Sequence, residues 1–225
     1  MDLTNAFTGF ADLLGSLICH QLPSRTLSAD GLLLPVCARD TGIYLGIFAS
    51  TAFILLSGRR RSDKPPGISI TIVMCILMLP MIIDGAGSYL GAYETSNTAR
   101  LLTGTLFGIP VPFFLIPAAN FKLTGRNEHA VLKSWVELAG IGAAAVASCL
   151  LILAGFVPYI VLALVFVFSF LFLIVRISYT IVARSLRAGS MLKYLVSMGA
   201  ALCVLTALYL LSSLVLQPIK AVLLR

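Results

Sequence analysis

Six long apolar runs constrain what this chain can fold into more than any other feature of its sequence. They cover approximately residues 41–57, 67–83, 101–119, 136–155, 157–175 and 194–216. A hydrocarbon layer about 30 Å thick selects for apolar segments of roughly this length. Inside that layer a segment must satisfy its own backbone hydrogen bonds, which a helix does. The pattern therefore predicts an all-α fold, a polytopic membrane bundle of six transmembrane helices.

The composition agrees with a single integral membrane domain over residues 1–225. Hydrophobic residues make up 59% of the chain and charged residues 11%, with a mean hydropathy of +1.02. A soluble protein of this length does not need so apolar a composition. Polar motifs are confined to residues 15–118, whereas residues 136–216 are an apolar half that we interpret as scaffold.

Residues 4–18 predict an additional, amphipathic helix before the first transmembrane segment. Six large apolar residues fall on one helical face: Phe7, Phe10, Leu13, Leu14, Leu17 and Ile18. The segment is short for a membrane crossing and carries Asp12 in its middle. We expect it to lie in the membrane interface or to dip into the bundle as a re-entrant helix.

Positive charge is distributed unevenly among the connections and predicts the orientation. The connections after the first, third and fifth runs contain eleven of the sixteen Lys and Arg residues. The positive-inside rule places those connections in the cytoplasm. The N-terminus, residues 19–40 and residues 84–100 are then extracytoplasmic. The excess charge also favours contact with anionic membrane lipids, and no basic surface with interleaved aromatic residues indicates a nucleic-acid partner.

The segment 19–40 concentrates reactive side chains just ahead of the first crossing. Cys19, His20, Cys37 and Asp40 form a ligand set that suits zinc or another divalent metal. A Cys19–Cys37 disulfide is the alternative, since an extracytoplasmic compartment permits one. The third interpretation is that the thiols of Cys19 and Cys37 are unpaired and serve only in packing. Cys75, Cys149 and Cys203 lie inside apolar runs and are interpreted as packing residues.

Long motifs in this half resemble an uncharacterised prokaryotic membrane family, the domain of unknown function 2085. The chain reads CHQLPSRT from Cys19, then PVCARDTGIYLG from Pro35, and PMIIDGAGSYLGAYETSNTAR from Pro80. These blocks are similar to the family patterns CHQxPxRS, PxCARCTGxYxG and PMxxDGxxQ with a downstream SNxxR. The resemblance implies a membrane bundle and no particular activity. Asp40 stands where the family pattern has a second cysteine, so a redox pair of the CxxC type is not expected.

A second polar constellation follows the second crossing. Asp84, Asn97 and Arg100, together with Arg39, are predicted to line a cavity that opens outward, because ionisable residues at membrane depth usually pair or serve a site. The alternative is that these charges are ordinary anchors at the membrane interface. Three glycines between them predict a bent, non-helical return: Gly85, Gly87 and Gly91.

Roles are assigned to these residues by their chemistry. Arg39 and Arg100 suit a phosphate or carboxylate group, since guanidinium offers paired donors. Tyr44 and Asn97 are assigned to substrate binding with them. Catalytic roles as acid, base or metal ligand are assigned to His20, Asp40 and Asp84. For His20, a structural role at a helix end is the alternative.

Two function classes follow from this distribution. The first is a membrane-embedded enzyme that acts at the extracytoplasmic face on a lipid or lipid-linked anionic substrate, with a metal as an aid. The second is a transporter or binding protein that uses the same pocket for a small molecule or ion. Reactive side chains crowd at one face and the last three apolar runs offer no polar path, which favours the enzyme. The last two runs also offer a contact surface for lipid or for a second copy in a homo-oligomer.

Overall fold

The computed structural model describes residues 3–122, 125–186 and 190–216. Eight α-helices are present in this part of the chain: α1 Leu3–Ser16, α2 Ala38–Leu56, α3 Ile68–Tyr89, α4 Asn97–Gly108, α5 Pro110–Asn120, α6 Trp135–Leu153, α7 Tyr159–Ser185 and α8 Ser190–Leu211. Six segments of this set are long and apolar enough to span a membrane, with α4 and α5 together forming the third. The prediction of an all-α bundle with six transmembrane helices is confirmed.

The helices extend beyond the apolar runs and take in polar residues that the sequence places in connections. Helix α2 begins at Ala38, so Arg39 and Asp40 belong to its first turn. Helix α3 continues to Tyr89. The expectation of a non-helical return at Gly85 and Gly87 is therefore wrong, because both lie inside a helix whose backbone bonds are made. The left-handed turn comes later, at Gly91 with φ of 71°.

The third crossing is divided at Ile109, where α4 ends and α5 begins with Pro110. Proline has no backbone N–H and is favoured at the start of a helix. Helix α2 stabilises this junction, because the hydroxyl of Ser50 donates a hydrogen bond of 2.8 Å to the carbonyl oxygen of Ile109. Ser50 is fully buried, so the break is held inside the bundle.

Helices α2 and α4 cross with their backbones in contact, and glycines on both helices permit this. A Cβ atom on Gly42 or Gly46 would overlap backbone carbonyl oxygens of α4. A Cβ atom on Gly104 or Gly108 would overlap carbonyl oxygens of α2. Glycines four residues apart on each of two helices are a familiar device for close packing in membranes. This crossing fixes the first turn of α2 beside the first turn of α4.

The N-terminal region covers the same end of the bundle. Helix α1 has 14 residues, or about 21 Å at 1.5 Å per residue, and packs on α7. A short antiparallel hairpin follows, with strands β1 Ser28–Ala29 and β2 Leu32–Leu33. The carboxylate of Asp30, in the hairpin turn, accepts a hydrogen bond of 2.8 Å from the first backbone N–H of α7, at Tyr159. The segment is thereby fastened to the bundle.

Candidate functional site

The segment between α1 and α2 folds back on itself and brings two cysteines together. The amide of Gln21 donates hydrogen bonds of 3.0 Å to the carbonyl of Asp12 and 2.9 Å to that of Pro35. Gly15 allows the carbonyl of Pro35 to approach α1, since a Cβ there would overlap it. As a result Cys19, at the end of the turn after α1, meets Cys37, the residue that precedes α2.

The sulfur of Cys19 is oriented by backbone donors. It accepts N–H groups from Gln21 at 3.4 Å and from Cys37 at 3.3 Å. Hydrogen bonds to a sulfur favour its anionic form. The neighbouring Cys37 side chain lowers the pKa of Cys19, against burial, whereas the Cys19 side chain and burial together raise the pKa of Cys37. Of the two sulfurs, Cys19 is the one whose surroundings favour the thiolate form.

Asp40 completes a cluster of three donor groups. One ligand atom each from Cys19, Cys37 and Asp40 lies within 4.8 Å of the others. The sulfur of Cys37 lies 3.3 Å from a carboxylate oxygen of Asp40. Zinc bonds of about 2.0–2.3 Å in a tetrahedron imply ligand separations of about 3.3–3.8 Å. Small side-chain adjustments would bring the three atoms to that geometry. Both cysteines are free of a disulfide in the structure.

A cavity of about 250 Å³ opens beside the cluster. Its polar wall contains Cys19, His20, Cys37 and Asp40, and its cationic groups are Arg25 and Arg39. Ile43 and Met81 supply apolar surface. The cavity therefore places possible metal ligands and two guanidinium groups around the same small volume.

Arg39 is held in this wall by Asp84 of α3. The two side chains form an ion pair and are only 13% and 9% exposed. The same guanidinium nitrogen lies 3.4 Å from the backbone carbonyl of Asp84. The Nε atom of Arg39 is buried and has no hydrogen-bond partner among the described residues. One donor of this guanidinium consequently has unused capacity.

The first turn of α4 adds a third arginine close to those of the cavity. Arg100 is 7% exposed and donates a hydrogen bond of 3.2 Å to the side-chain oxygen of Asn97. The amide of Asn97 in turn donates to the carbonyl of Ser24, at 3.3 Å. Arg25 and Arg39 are cationic neighbours of Arg100, and Asp84 is an anionic one. Residues 19–40 and the start of α4 therefore meet at one end of the bundle, which we call the motif face.

Comparisons with known proteins match this same part of the chain. The family model described as "Predicted membrane protein (DUF2085)" matches residues 19–114. An uncharacterized protein of Methanothermobacter thermautotrophicus is 36% identical over 92 residues, which cover 41% of this chain and 78% of that protein. The chain belongs to the DUF2085 family.

A second relative of this DUF2085 protein gives a similar match. An uncharacterized protein of Methanocaldococcus jannaschii is 34% identical over 102 residues, which are 45% of this chain and 64% of that protein. The match thus spans a little under two thirds of that relative. No solved structure matches the chain. The family region begins at Cys19 and ends in α5, so it contains every residue that lines the cavity except Ile18.

The structure brings some of the predicted site residues of the DUF2085 protein together and separates others. Five of them line the cavity: Cys19, His20, Cys37, Arg39 and Asp40. His20 is outside the cluster of three donor atoms, although it shares the cavity. Asp84 reaches the wall through Arg39. Asn97 and Arg100 do not line the cavity.

Tyr44 is placed differently from the other predicted site residues. Its ring packs edge-on against Phe166 and Phe170 of α7, at centroid distances of 5.0 and 6.1 Å. It is 7% exposed and does not line the cavity. Gln21 and Arg25, which do line it, were not predicted as site residues. Their position inside the CHQLPSR block was the available signal.

Proposed function

We propose that this protein is a membrane-embedded, metal-dependent enzyme that acts on a lipid or lipid-linked anionic substrate at its motif face. The observation that supports this most directly is the cavity itself. It joins the donor cluster of Cys19, Cys37 and Asp40 to the guanidinium groups of Arg25 and Arg39. A site that only stabilised the fold would have no need of an open cavity beside its ligands.

The donor set suits a catalytic zinc site. Structural zinc sites are usually closed by four protein ligands, whereas catalytic sites have three and leave one position open. Two thiolates and a carboxylate supply three ligands here, and the open position would face the cavity. A zinc ion in this position would activate water or polarise an oxygen of the substrate. Asp40 would be a ligand in place of the cysteine found in the resembled family pattern.

The arginines suit the anionic part of such a substrate. Arg25 and Arg39 face the cavity, and Asp84 limits the freedom of Arg39. A guanidinium group offers paired donors to a phosphate or carboxylate. The buried Nε of Arg39 provides a further N–H donor, which would bond an oxygen of that phosphate or carboxylate. His20, on the same wall, would transfer a proton to or from a group held between such a metal and the arginines.

The membrane setting favours a lipid-linked substrate over a freely soluble one. The cavity lies at the end of the bundle where Ile43 and Met81 form apolar wall. A substrate with an apolar tail can enter such a site from the bilayer and present its head group to Arg25 and Arg39. We expect this face to be extracytoplasmic, as the distribution of Lys and Arg indicates.

Metal analysis of the purified full chain tests the proposal first. We expect about one zinc per chain in the wild type, as in a tetrahedral protein site. Cys19→Ser should lose most of it, while Cys203→Ser, at an exposed position of α8, should retain it. A wild type without bound metal, or with Cys19 and Cys37 joined in a disulfide, would contradict the proposal.

Reconstitution separates an enzyme from the alternative, a transporter or binding protein. Zinc-loaded protein in vesicles of phosphatidylglycerol and phosphatidic acid should convert one of these lipids into a new species detectable by mass spectrometry. His20→Ala should lower that rate and retain zinc. Retention of both lipids unchanged, together with uptake of an anionic solute into the vesicles, would favour the transporter.

A further inference from the structure

A second cavity system lies at the opposite end of the bundle from the motif face. Its polar part has a volume of about 630 Å³ and is formed mainly by the connections that follow α2 and α5. Its apolar part has about 210 Å³ and lies between α7 and α8, against Phe172, Val175 and Met198. Tyr179 and Tyr194 line both parts. The two parts therefore adjoin at these tyrosines, and we call them together the basic groove.

The polar part of the basic groove carries an excess of positive charge. Among the described residues, its lining contains four cations, Arg59, Arg61, Lys122 and Lys133, and two carboxylates, Asp63 and Glu128, with His129 beside them. Two of the cations are already engaged. Arg59 forms a two-point ion pair with Glu137, at 2.8 and 2.7 Å, and Lys122 lies 3.4 Å from Asp63.

Arg61 and Lys133 are the cations left for a ligand. Within the described ranges of the chain, neither has an ion-pair partner. Asp63 is itself occupied, because its carboxylate accepts the backbone N–H of His129 at 2.9 Å. The polar part of the groove thus presents two cations without ion-pair partners against one such carboxylate, Glu128. The remaining charge is positive, so an anion is the complementary ligand.

The apolar part contains a partly buried arginine whose hydrogen bonds are incomplete. Arg176 lies within α7, and its guanidinium group is 5.4 Å from the ring centre of Tyr179. One of its terminal nitrogens donates to the carbonyl of Ile116 at 3.0 Å. Its Nε is buried without a partner among the described residues. An unpaired buried donor costs free energy, and an oxygen atom at this depth would remove that cost.

We propose that the basic groove binds an anionic phospholipid. Its phosphate lies near Arg61 and Lys133, an ester oxygen of its glycerol backbone accepts from Arg176, and one acyl chain enters the cleft between α7 and α8. The tyrosine pair, with ring centres 5.1 Å apart, marks the boundary between head group and chain, where aromatic residues are enriched in membrane proteins. A free phosphate would use the polar part alone and leave the cleft and Arg176 without a ligand.

Native mass spectrometry of the full chain in detergent tests this site. Phosphatidylglycerol and phosphatidylcholine with identical acyl chains are titrated separately. We expect the anionic lipid to bind about tenfold more tightly, since surface cations favour anionic lipid appreciably. Glycerol 3-phosphate, which has the head-group phosphate and no acyl chains, should not displace it. Equal binding of the two lipids, or displacement by glycerol 3-phosphate, would overturn the proposal.

Two pairs of variants locate the lipid. Arg61→Gln with Lys133→Gln should abolish the preference for phosphatidylglycerol, whereas Arg60→Gln with Lys64→Gln removes the same charge outside the groove and should preserve it. Met198→Trp fills the apolar cleft and should weaken the binding of both lipids. Leu202→Trp, one turn further along α8, should leave the binding of both unchanged. The two pairs act at opposite ends of the groove, so one remains informative if a variant of the other does not fold. Equal losses in a variant and its control would show nonspecific lipid contact instead.

Discussion

The guanidinium group of Arg39 in α2 forms an ion pair with the carboxylate of Asp84 in α3, 45 residues further along the chain. Both side chains are nearly buried, so each charge depends on the other. The pair connects a residue of the cavity wall to a helix that contributes Met81 and Gly85 to the same wall. It links the packing of α3 to the position of a substrate-binding candidate.

Asp84→Asn should therefore destabilise the protein. Removal of one partner leaves a buried, unpaired charge, which costs about 3 kcal/mol or more. Thermal unfolding in detergent measures this, with Glu94→Gln at an exposed position as the control. The double variant Arg39→Met with Asp84→Leu should recover most of the stability while binding of an anionic ligand stays lost. A double variant as unstable as Asp84→Asn would show that the pair has no such coupling.

Substitutions of Asp40 should distinguish a ligand from a neighbour of the metal. Asp40→Asn should weaken zinc binding by at least about tenfold. Even the substitution of a residue that only hydrogen-bonds to a metal ligand commonly lowers the metal affinity by that much. Asp40→Cys supplies a third thiolate and should retain zinc. Competition with a fluorescent zinc chelator measures both affinities, with Asp12→Asn as a control on the same face. Wild-type affinity in Asp40→Asn would remove this carboxylate from the proposed ligand set.

The crossing of α2 and α4 should tolerate no added methyl group. In Gly104→Ala the new Cβ overlaps the carbonyl oxygen of Arg39, and separation of the helices should cost about 1–3 kcal/mol. The thermal midpoint in detergent should fall accordingly, and zinc binding should weaken because Asp40 follows Arg39. Gly140→Ala is a matched control, since no described atom outside its own helix lies within 4 Å of that Cβ. Equal stability of the two variants would contradict the close crossing.

Orientation is open to a direct test by labelling. Glu94→Cys and Arg126→Cys place thiols at exposed positions on opposite ends of the bundle. The positive-inside rule predicts that a membrane-impermeant maleimide labels Glu94→Cys in intact cells and labels Arg126→Cys only after lysis. The wild type, with its own five cysteines, gives the background. The reverse pattern would place the motif face in the cytoplasm.

The apolar runs predicted the crossings well and their ends less well. A hydrocarbon layer acts on each segment independently, so length and hydropathy are sufficient to find a spanning helix. The predicted run 67–83 stops short of Tyr89, where α3 ends, because Asp84 interrupts the apolar pattern. That carboxylate is accepted within the helix only because Arg39 neutralises it, and Arg39 belongs to another helix.

The sequence by itself determined the membrane class, the six crossings and the placement of residues 19–40 and 84–100 at one face, since the number of crossings between two segments fixes which side each one reaches. Tertiary structure decided which residues meet there. It joined Cys19, Cys37 and Asp40 without His20, and it put Tyr44 against α7 instead of in the cavity. The physical reason is that a donor cluster requires atoms within a few ångströms. Their separation depends on contacts between distant segments, such as Gly15 with Pro35 and the glycines of α2 with α4. The local sequence pattern does not predict those contacts.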